Sequence, residues 1–536
     1  MLIAGDVKNI HVTRLSYSGA AAIVTRLSLG VLWLAGAVWL VAAYAHAASP
    51  PLLPDLSPLE QALSHITSED EAVREAALRV VIEQGDSTVI PRLEDIRATA
   101  DRPVRLAIKP VMDLLKNRAK LESPEADARR SAATDLGTLG RPVAIPWLEQ
   151  AAAKESSKWV RYTMQESAAL LKLAGDDQAA KQVAVNTLGR LASQNAVPAL
   201  QEMVNVGTAE GASEVQQSLA EAARASIERI ETWAAWSAAI ETGFRGVSLS
   251  SILLIMSVGL AIIFGLMGVI NMAHGELMMV GAYATFMTQE AFRAFLPANL
   301  FDYYFAVAMP MAFLVAAGCG MLLEVTVIRF LYGRPLETML ATWGISLVLM
   351  QAARVYFGDL TAVTAPAWLS GGLQVMVGVY LPNNRLFIIL LSVICVLTIY
   401  AILFRSGLGL RVRAVTQNRN MSACLGIPTR KVDAYTFAFG SGLAGIAGWA
   451  LTLIGNVEPG LGQNYIVDSF MVVVTGGVGK LAGTIVASLG IGGLNKLLEP
   501  GLGAVYGKVC ILVLVILFLQ WRPSGLFAIK GRHADS

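Results

Sequence analysis

The chain has 536 residues, 55% of them hydrophobic and only 15% charged, and a mean hydropathy of +0.55; this excludes a wholly soluble protein. A formal net charge of +2 argues against a nucleic-acid partner, because a phosphate-binding face needs a concentrated basic excess. The four cysteines, Cys319, Cys395, Cys424 and Cys510, lack metal-ligand spacing, so no disulfide framework and no metal site are expected.

Residues 1–47 carry basic positions at Lys8, Arg14 and Arg26, an apolar run from Leu27 to Ala43, and then Ala45-His46-Ala47, the small-x-small pattern read by signal peptidase. A signal peptide is expected there, with an uncleaved anchor helix as the alternative. Either places the following segment outside the cytoplasm.

Residues 48–240 are expected to form a periplasmic helical-repeat domain. Apolar residues fall at helical spacing, and a motif recurs. Leu136-Gly137, Leu139, Ala144-Ile145-Pro146 and Leu148 return 52 positions later as Leu188-Gly189, Leu191, Ala196-Val197-Pro198 and Leu200, with a fainter copy at Ile90-Pro91 and Leu93. Arg74, Arg129 and Lys181 each precede the repeat's proline by 17 positions. Helix, turn and a second helix opened by proline near its first turn resemble HEAT-type repeats, so a short α-solenoid is expected. Its residue types form no catalytic constellation.

Residues 245–521 are expected to be a transmembrane domain, followed by a cytoplasmic tail over 522–536. Only ten of the forty acidic residues lie between Val247 and Trp521. The uncharged run from Val247 to Ile270 has 24 residues, enough to cross a hydrocarbon core of about 30 Å. Further apolar segments near 276–291, 303–328, 337–357, 386–404, 432–455, 466–479, 481–498 and 505–521 make about eight to nine spans, some discontinuous, with half-helices around Thr475 to Gly483. Basic residues gather in Arg329 and Arg334, in Arg405 through Lys431, and in Arg522, Lys530 and Arg532, which puts those loops in the cytoplasm. The fold class is therefore all-α: a polytopic membrane helix bundle preceded by an exported HEAT-like α-solenoid.

Three stretches could carry function. Thr475-Gly476-Gly477-Val478-Gly479-Lys480 ends like a phosphate-binding loop, but Val474 and Leu481 stand where the loop needs glycine and a hydroxyl; a glycine break between membrane helices is the better reading. Asn271-Met272-Ala273-His274-Gly275-Glu276 joins two apolar segments, either as a polar turn at the interface or as a break inside the bilayer presenting Asn271, His274 and Glu276 to a pathway. Gly407 to Lys431 reads as a short helix with Leu410, Ala414, Met421 and Leu425 on one stripe, stopped by Gly426 and Pro428. Such a helix suits docking into a partner's groove. A glycine face at Gly440, Gly442, Gly445 and Gly448 could pack within the chain or against a second one.

Gly-Leu-Met-Gly-Val-Ile-Asn-Met-Ala-His-Gly-Glu (265–276), Arg413-Ala414 through Leu425-Gly426-Ile427, and Val474 through Gly479 together resemble the permease family of branched-chain amino acid ABC transporters. The helical extension ahead of them resembles the B-type permease of urea importers. The resemblance implies an integral-membrane permease in the bacterial inner membrane, not an enzyme, that moves urea inward. Branched-chain amino acids or short amides are the alternative, and a secondary transporter or channel is a more distant one. It implies as partners a second related permease, two cytoplasmic ATPases that bind ATP and Mg, and a periplasmic solute-binding protein, with membrane lipid around the spans. No cofactor is implied in this chain. The ATPase contact would include Arg413, Ala414, Asn418, Met421, Leu425 and Gly426. A planar, neutral solute needs donors and acceptors without fixed charge pairs, which adds Thr342, Ser346 and Asn456 to Asn271, His274 and Glu276 as pathway candidates.

Overall fold

Amphipathic periodicity in the first half becomes helix. In the computed structural model of the protein, residues 57–68 and 70–527 are described; the expected signal peptide over 1–47 and the end of the tail lie outside them. The chain divides after Ala174 into two compact units. The first holds α1 (Pro58–His65), α2 (Glu71–Gln84), α3 (Ile90–Thr99), α4 (Arg102–Lys120), α5 (Ala126–Thr138), α6 (Ala144–Lys154) and α7 (Lys158–Ala174). Ser57 and Asp70 cap α1 and α2 by accepting the N–H groups of Glu60 and Ala72. Leu78, Val81, Leu93 and Ile108 belong to one apolar cluster, and Leu114, Leu136, Leu148 and Met164 to the next.

The sequence repeat has a structural counterpart. Arg74 and Arg129 both donate to a carbonyl six residues upstream, that of Ser68 at 3.1 Å and that of Ser123 at 2.8 Å. Arg129 also grips both oxygens of buried Glu155, at 2.7 and 3.0 Å. This guanidinium bond holds the Glu155 carboxyl below the usual carboxylate range.

The second unit opens with α8 (Gln178–Leu191) and α9 (Val197–Gly207), which pack on the first part of α10 (Glu214–Met267). A Cβ at Gly189 would lie 2.6 Å from the Ser226 hydroxyl of α10, and one at Gly137 of α5 would lie 2.8 Å from the Ser167 hydroxyl of α7. The repeated Leu-Gly thus marks where two helices touch. α10 starts from a Ser213/Gln216 capping box and runs for 54 residues, about 80 Å. The change of composition near Arg245 falls in mid-helix.

From there α11 (His274–Phe295), α12 (Tyr304–Thr326), α13 (Pro335–Phe357), α14 (Asn383–Arg405), α15 (Gly407–Gln417), α16 (Arg419–Cys424), α17 (Thr429–Leu451), α18 (Leu461–Gly476), α19 (Leu481–Leu502) and α20 (Ala504–Trp521) complete the unit. The chain is a helical membrane bundle in this half. Among the described residues six helical segments are long and apolar enough to cross a membrane; they lie in α10, α13, α14, α19, α20 and the stretch containing α12. A small antiparallel hairpin, β1 (Gly372–Met376) and β2 (Val379–Pro382), pairs Leu373 with Leu381 in the α13–α14 connection.

One end of the bundle gathers the loops 296–303, 358–382 and 452–460. There Thr361 and Val457 form an antiparallel bridge, Ala367 N–H donates to Asp302 at 3.2 Å, and Asn384 donates to the Leu453 carbonyl at 2.9 Å. The basic loops 327–334 and 406–428 lie at the other end.

The glycine face of α17 packs within the chain. Cβ atoms there would meet Ile263 of α10 at Gly440, Phe313 of α12 at Gly442, the Ala312 carbonyl of α12 at Gly445 and the Met278 carbonyl of α11 at Gly448. Small residues let three helices approach this one where lipid supplies no hydrophobic drive. Trp449 closes the cluster, donating to the Phe305 carbonyl at 3.0 Å and stacking on the Phe305 ring at 4.5 Å.

One expectation needs correction. The stretch after Gly407 forms two helices rather than one, because Asn418 is extended (φ −155°, ψ 101°) and turns its side chain to accept the Met421 N–H. This splits the proposed stripe: Leu410 and Ala414 sit on α15, Met421 on α16 and Leu425 just beyond it. Around Thr475 to Gly483 the chain makes a tight glycine turn between α18 and α19, with Gly477 and Gly479 at positive φ. The chain's own tail enters it, as Leu526 N–H donates to the Thr475 carbonyl at 2.8 Å.

Candidate functional site

The link between α10 and α11 is where the bundle buries its polar groups. α10 ends at Met267 with Gly268 left-handed, φ +71°. Yet His274, which opens α11, places its Nε2 3.2 Å from the carbonyl of Met256, eleven residues before the end of α10. Residues 268–273 therefore run back along α10 for about 16 Å, and α11 starts inside the bundle rather than at its rim. Non-helical backbone at that depth is tolerated where protein surrounds it or where it lines a water-filled path.

Asn271, His274 and Glu276 are all buried, with exposures of 1%, 0% and 0%. Asn271 Oδ1 accepts the Ala273 N–H at 3.1 Å, which turns the chain into α11, while its Nδ2 has no partner. A carbonyl can only accept, so His274 donates from Nε2 and its partnerless Nδ1 is left as an acceptor. The Glu276 carboxylate faces Ser346 of α13, and neither oxygen makes a hydrogen bond of ordinary geometry. One donor, the Asn271 amide, and three acceptor atoms, His274 Nδ1 and both Glu276 oxygens, thus lie within six residues without a hydrogen bond of ordinary geometry. Buried polar groups are normally paired, and such exceptions are where a passing solute can bond.

α13 supplies the facing side. Its buried residues are Thr338, Thr342, Ser346 and Ala353, while Leu336, Leu340, Trp343, Val348 and Val355 are exposed. The helix turns its hydroxyls inward and its apolar residues outward, as a helix between lipid and a polar path would. Thr342 joins the two sides: its hydroxyl accepts the Met272 N–H at 3.1 Å and donates to the Thr338 carbonyl at 2.9 Å.

One helical turn beyond Glu276 and Ser346 lies an open apolar groove of about 660 Å³ whose lining includes Met279, Tyr283, Leu349, Ala353 and Phe357 and the exposed Met311. Tyr283 stacks on Phe357 at 4.2 Å. Sequence reasoning missed these residues, because apolar positions on membrane helices carry no signal that separates a groove wall from a packed core. Four of the six pathway candidates, Asn271, Glu276, Thr342 and Ser346, come together between α11 and α13; His274 turns instead to the Met256 carbonyl of α10. The sixth, Asn456, is exposed on the 452–460 loop beside the Thr361–Val457 bridge.

The other candidates lie on α15, α16 and their flanks. Leu408, Leu410, Met421 and Leu425 are 58, 62, 58 and 75% exposed, so two short helices present an uncovered apolar surface among arginines. Arg413 lies over Phe404 at 5.2 Å, Ala414 is half-buried, and Gly426 ends the segment with φ +80°, a conformation that favours glycine.

Comparison with known proteins bears on the same half. The family model described as branched-chain amino acid transport system / permease component matches residues 243–519, just over half of the chain. The high-affinity branched-chain amino acid transport system permease protein BraD of Pseudomonas aeruginosa is 27% identical over 53% of this chain and 93% of its own length. The corresponding permease protein LivH of Escherichia coli is 28% identical over the same shares. LivM of Escherichia coli is 25% identical over 54% of this chain and 72% of its own length.

Proposed function

We infer the function from one premise: the chain belongs to the permease-component family of branched-chain amino acid transport systems. It is an ABC importer permease rather than an enzyme. Its polar group between α10, α11 and α13 is the inward path, and ATP is hydrolysed on separate cytoplasmic subunits that dock on α15 and α16. A second, related permease completes the path, a reading supported by the likeness to both LivH and LivM. A periplasmic binding protein delivers the solute.

The solute we propose is a branched-chain amino acid. The observation that carries this is the succession of a polar group at Asn271, Glu276, Thr342 and Ser346 and, one turn on, an open apolar groove of about 660 Å³; that order matches a molecule with charged and hydrogen-bonding groups at one end and a branched hydrocarbon at the other. Urea is a second reading. It rests on the segment ahead of residue 243, for which BraD and LivH, already matched over 93% of their length, have no counterpart. Deleting the gene and measuring uptake of labelled leucine and labelled urea separates the two: loss of leucine uptake alone is expected, loss of urea uptake alone selects urea, and retention of both refutes the importer reading.

We further propose that the helices ahead of the membrane bundle are HEAT-like repeats on the periplasmic side, that an export signal precedes them, and that nine helices from α10 to α20 insert in the membrane. The paired arginine braces, the repeated glycine contacts and the basic loops at one end support this. A cysteine at Ala209, on an exposed turn, should react with an impermeant thiol reagent in intact cells once native cysteines are removed; reaction only after lysis contradicts the orientation.

A further inference from the structure

The α15–α16 segment is held to the bundle by a cluster of charges that the docking surface itself does not require. Arg419 opens α16 and donates to Asp433 of α17, whose side chain is 4% exposed. The same guanidinium lies over the Tyr332 ring at 4.8 Å. Tyr332 donates its hydroxyl to Glu324 of α12 at 3.1 Å, and Arg329 approaches the other Glu324 oxygen at 3.8 Å. Glu324 is 1% exposed. Two carboxylates are thus buried at one end of an apolar bundle and matched by two arginines and a phenol. Burying them is costly unless every partner is in place, so the cluster specifies one arrangement of three segments.

From this cluster the backbone of the 327–334 connection and local hydrogen bonds lead to the path. Tyr332 sits in the short 327–334 connection, where Thr338 of α13 donates to the carbonyls of Leu331 and Arg334 at 3.1 and 2.8 Å. Thr342 donates to the Thr338 carbonyl and accepts the Met272 N–H. Arg419 thus touches the α12–α13 corner, from which α13 carries the hydroxyl stripe that faces Asn271 and Glu276. A flat guanidinium both pairs with a carboxylate and stacks on a ring, which lysine cannot reproduce.

We propose that Arg419, with Asp433 and Tyr332, is a positioning residue that joins the ATPase-docking loop to α13, so that displacement of the loop moves the polar stripe of the path. This rests on the importer reading. The test is the purified complex of this chain with its ATPase and second permease, in proteoliposomes. ATP hydrolysis and uptake are measured together, using whichever of labelled leucine or urea the unsubstituted chain carries. Arg419→Gln should keep the ATPase bound and hydrolysis within twofold, while uptake per ATP falls at least tenfold. Tyr332→Phe, which loses only the bond to Glu324 and keeps the ring, should lose two- to fivefold and decides the matter if Arg419→Gln does not fold. Arg522→Gln, an exposed charge outside the docking helices and the cluster, should change neither. Unchanged uptake per ATP in Arg419→Gln and Tyr332→Phe overturns the proposal. Loss of the ATPase from Arg419→Gln overturns it too, since Arg419 would then be an assembly contact. If the unsubstituted chain binds no ATPase, the importer reading falls first and this inference with it.

Discussion

The backbone N–H of Met272 donates to the hydroxyl of Thr342 at 3.1 Å, and this bond fixes a non-helical stretch against a helix 70 residues further along the chain. It sets Asn271 and Glu276 opposite Thr342 and Ser346 and gives the bundle a polar seam bounded on both sides by ordinary apolar packing. Membrane helices bury polar groups where something polar must pass or bind.

Replacing Asn271 by Ala removes the free amide donor and the cap on Ala273. Uptake should fall about tenfold, the equivalent of roughly 1.4 kcal/mol for one lost hydrogen bond. Asn456→Ala, on an exposed loop, should leave uptake within twofold. Initial rates in cells measure both; equal losses would remove the distinction between the buried group and the loop.

The uncovered apolar residues on α15 and α16 make a second expectation. Met421→Asp or Leu425→Asp places a carboxylate where a partner's surface must close, and desolvating it should cost several kcal/mol, on the order of the complex's whole stability margin. The ATPase should then no longer co-purify, while the chain itself still inserts and folds. Co-purification at the normal ratio would exclude this surface as the docking site.

Much of this was legible beforehand, and the exceptions have physical causes. Apolar runs located the helices because length and hydropathy are what the bilayer selects. The Leu-Gly repeat reported real helix contacts at Gly137 and Gly189. The glycine face of α17 could be seen but not aimed, since a small residue marks close approach without naming the neighbour; the neighbours are α10, α11 and α12. Pattern alone places Asn418 inside one helix, although an asparagine that accepts an N–H three residues on is a start signal. In the sequence Arg419 is one of many topology-setting charges, because Asp433 and Tyr332 are 14 and 87 positions away and pattern alone does not bring them together. The depth of the 268–273 link was also invisible, as a polar turn at the rim and one inside the bundle share the same letters.

In the repeat domain the Arg129–Glu155 pair makes a pH dependence. The folded pKa of Glu155 is lowered, chiefly by the bond from Arg129, so the pair's contribution is full above the ordinary carboxylate pKa and is lost as pH falls through the lowered folded value. Amide exchange in the first turn of α5, corrected for its intrinsic pH dependence, should accelerate across that window. Glu155→Gln should exchange fast at all pH values; a wild-type profile that stays flat would contradict the assignment.

The central claim is that this chain conducts a solute inward only when ATP is hydrolysed on other subunits. The direct measurement uses proteoliposomes containing this chain alone, or together with its second permease, ATPases and binding protein, loaded with or without ATP on the ATPase side and offered labelled leucine and labelled urea. The account predicts no accumulation and no ATP hydrolysis by the chain alone, and ATP-dependent accumulation of one of the two solutes by the full set. Accumulation without ATP, or hydrolysis by this chain by itself, would contradict it.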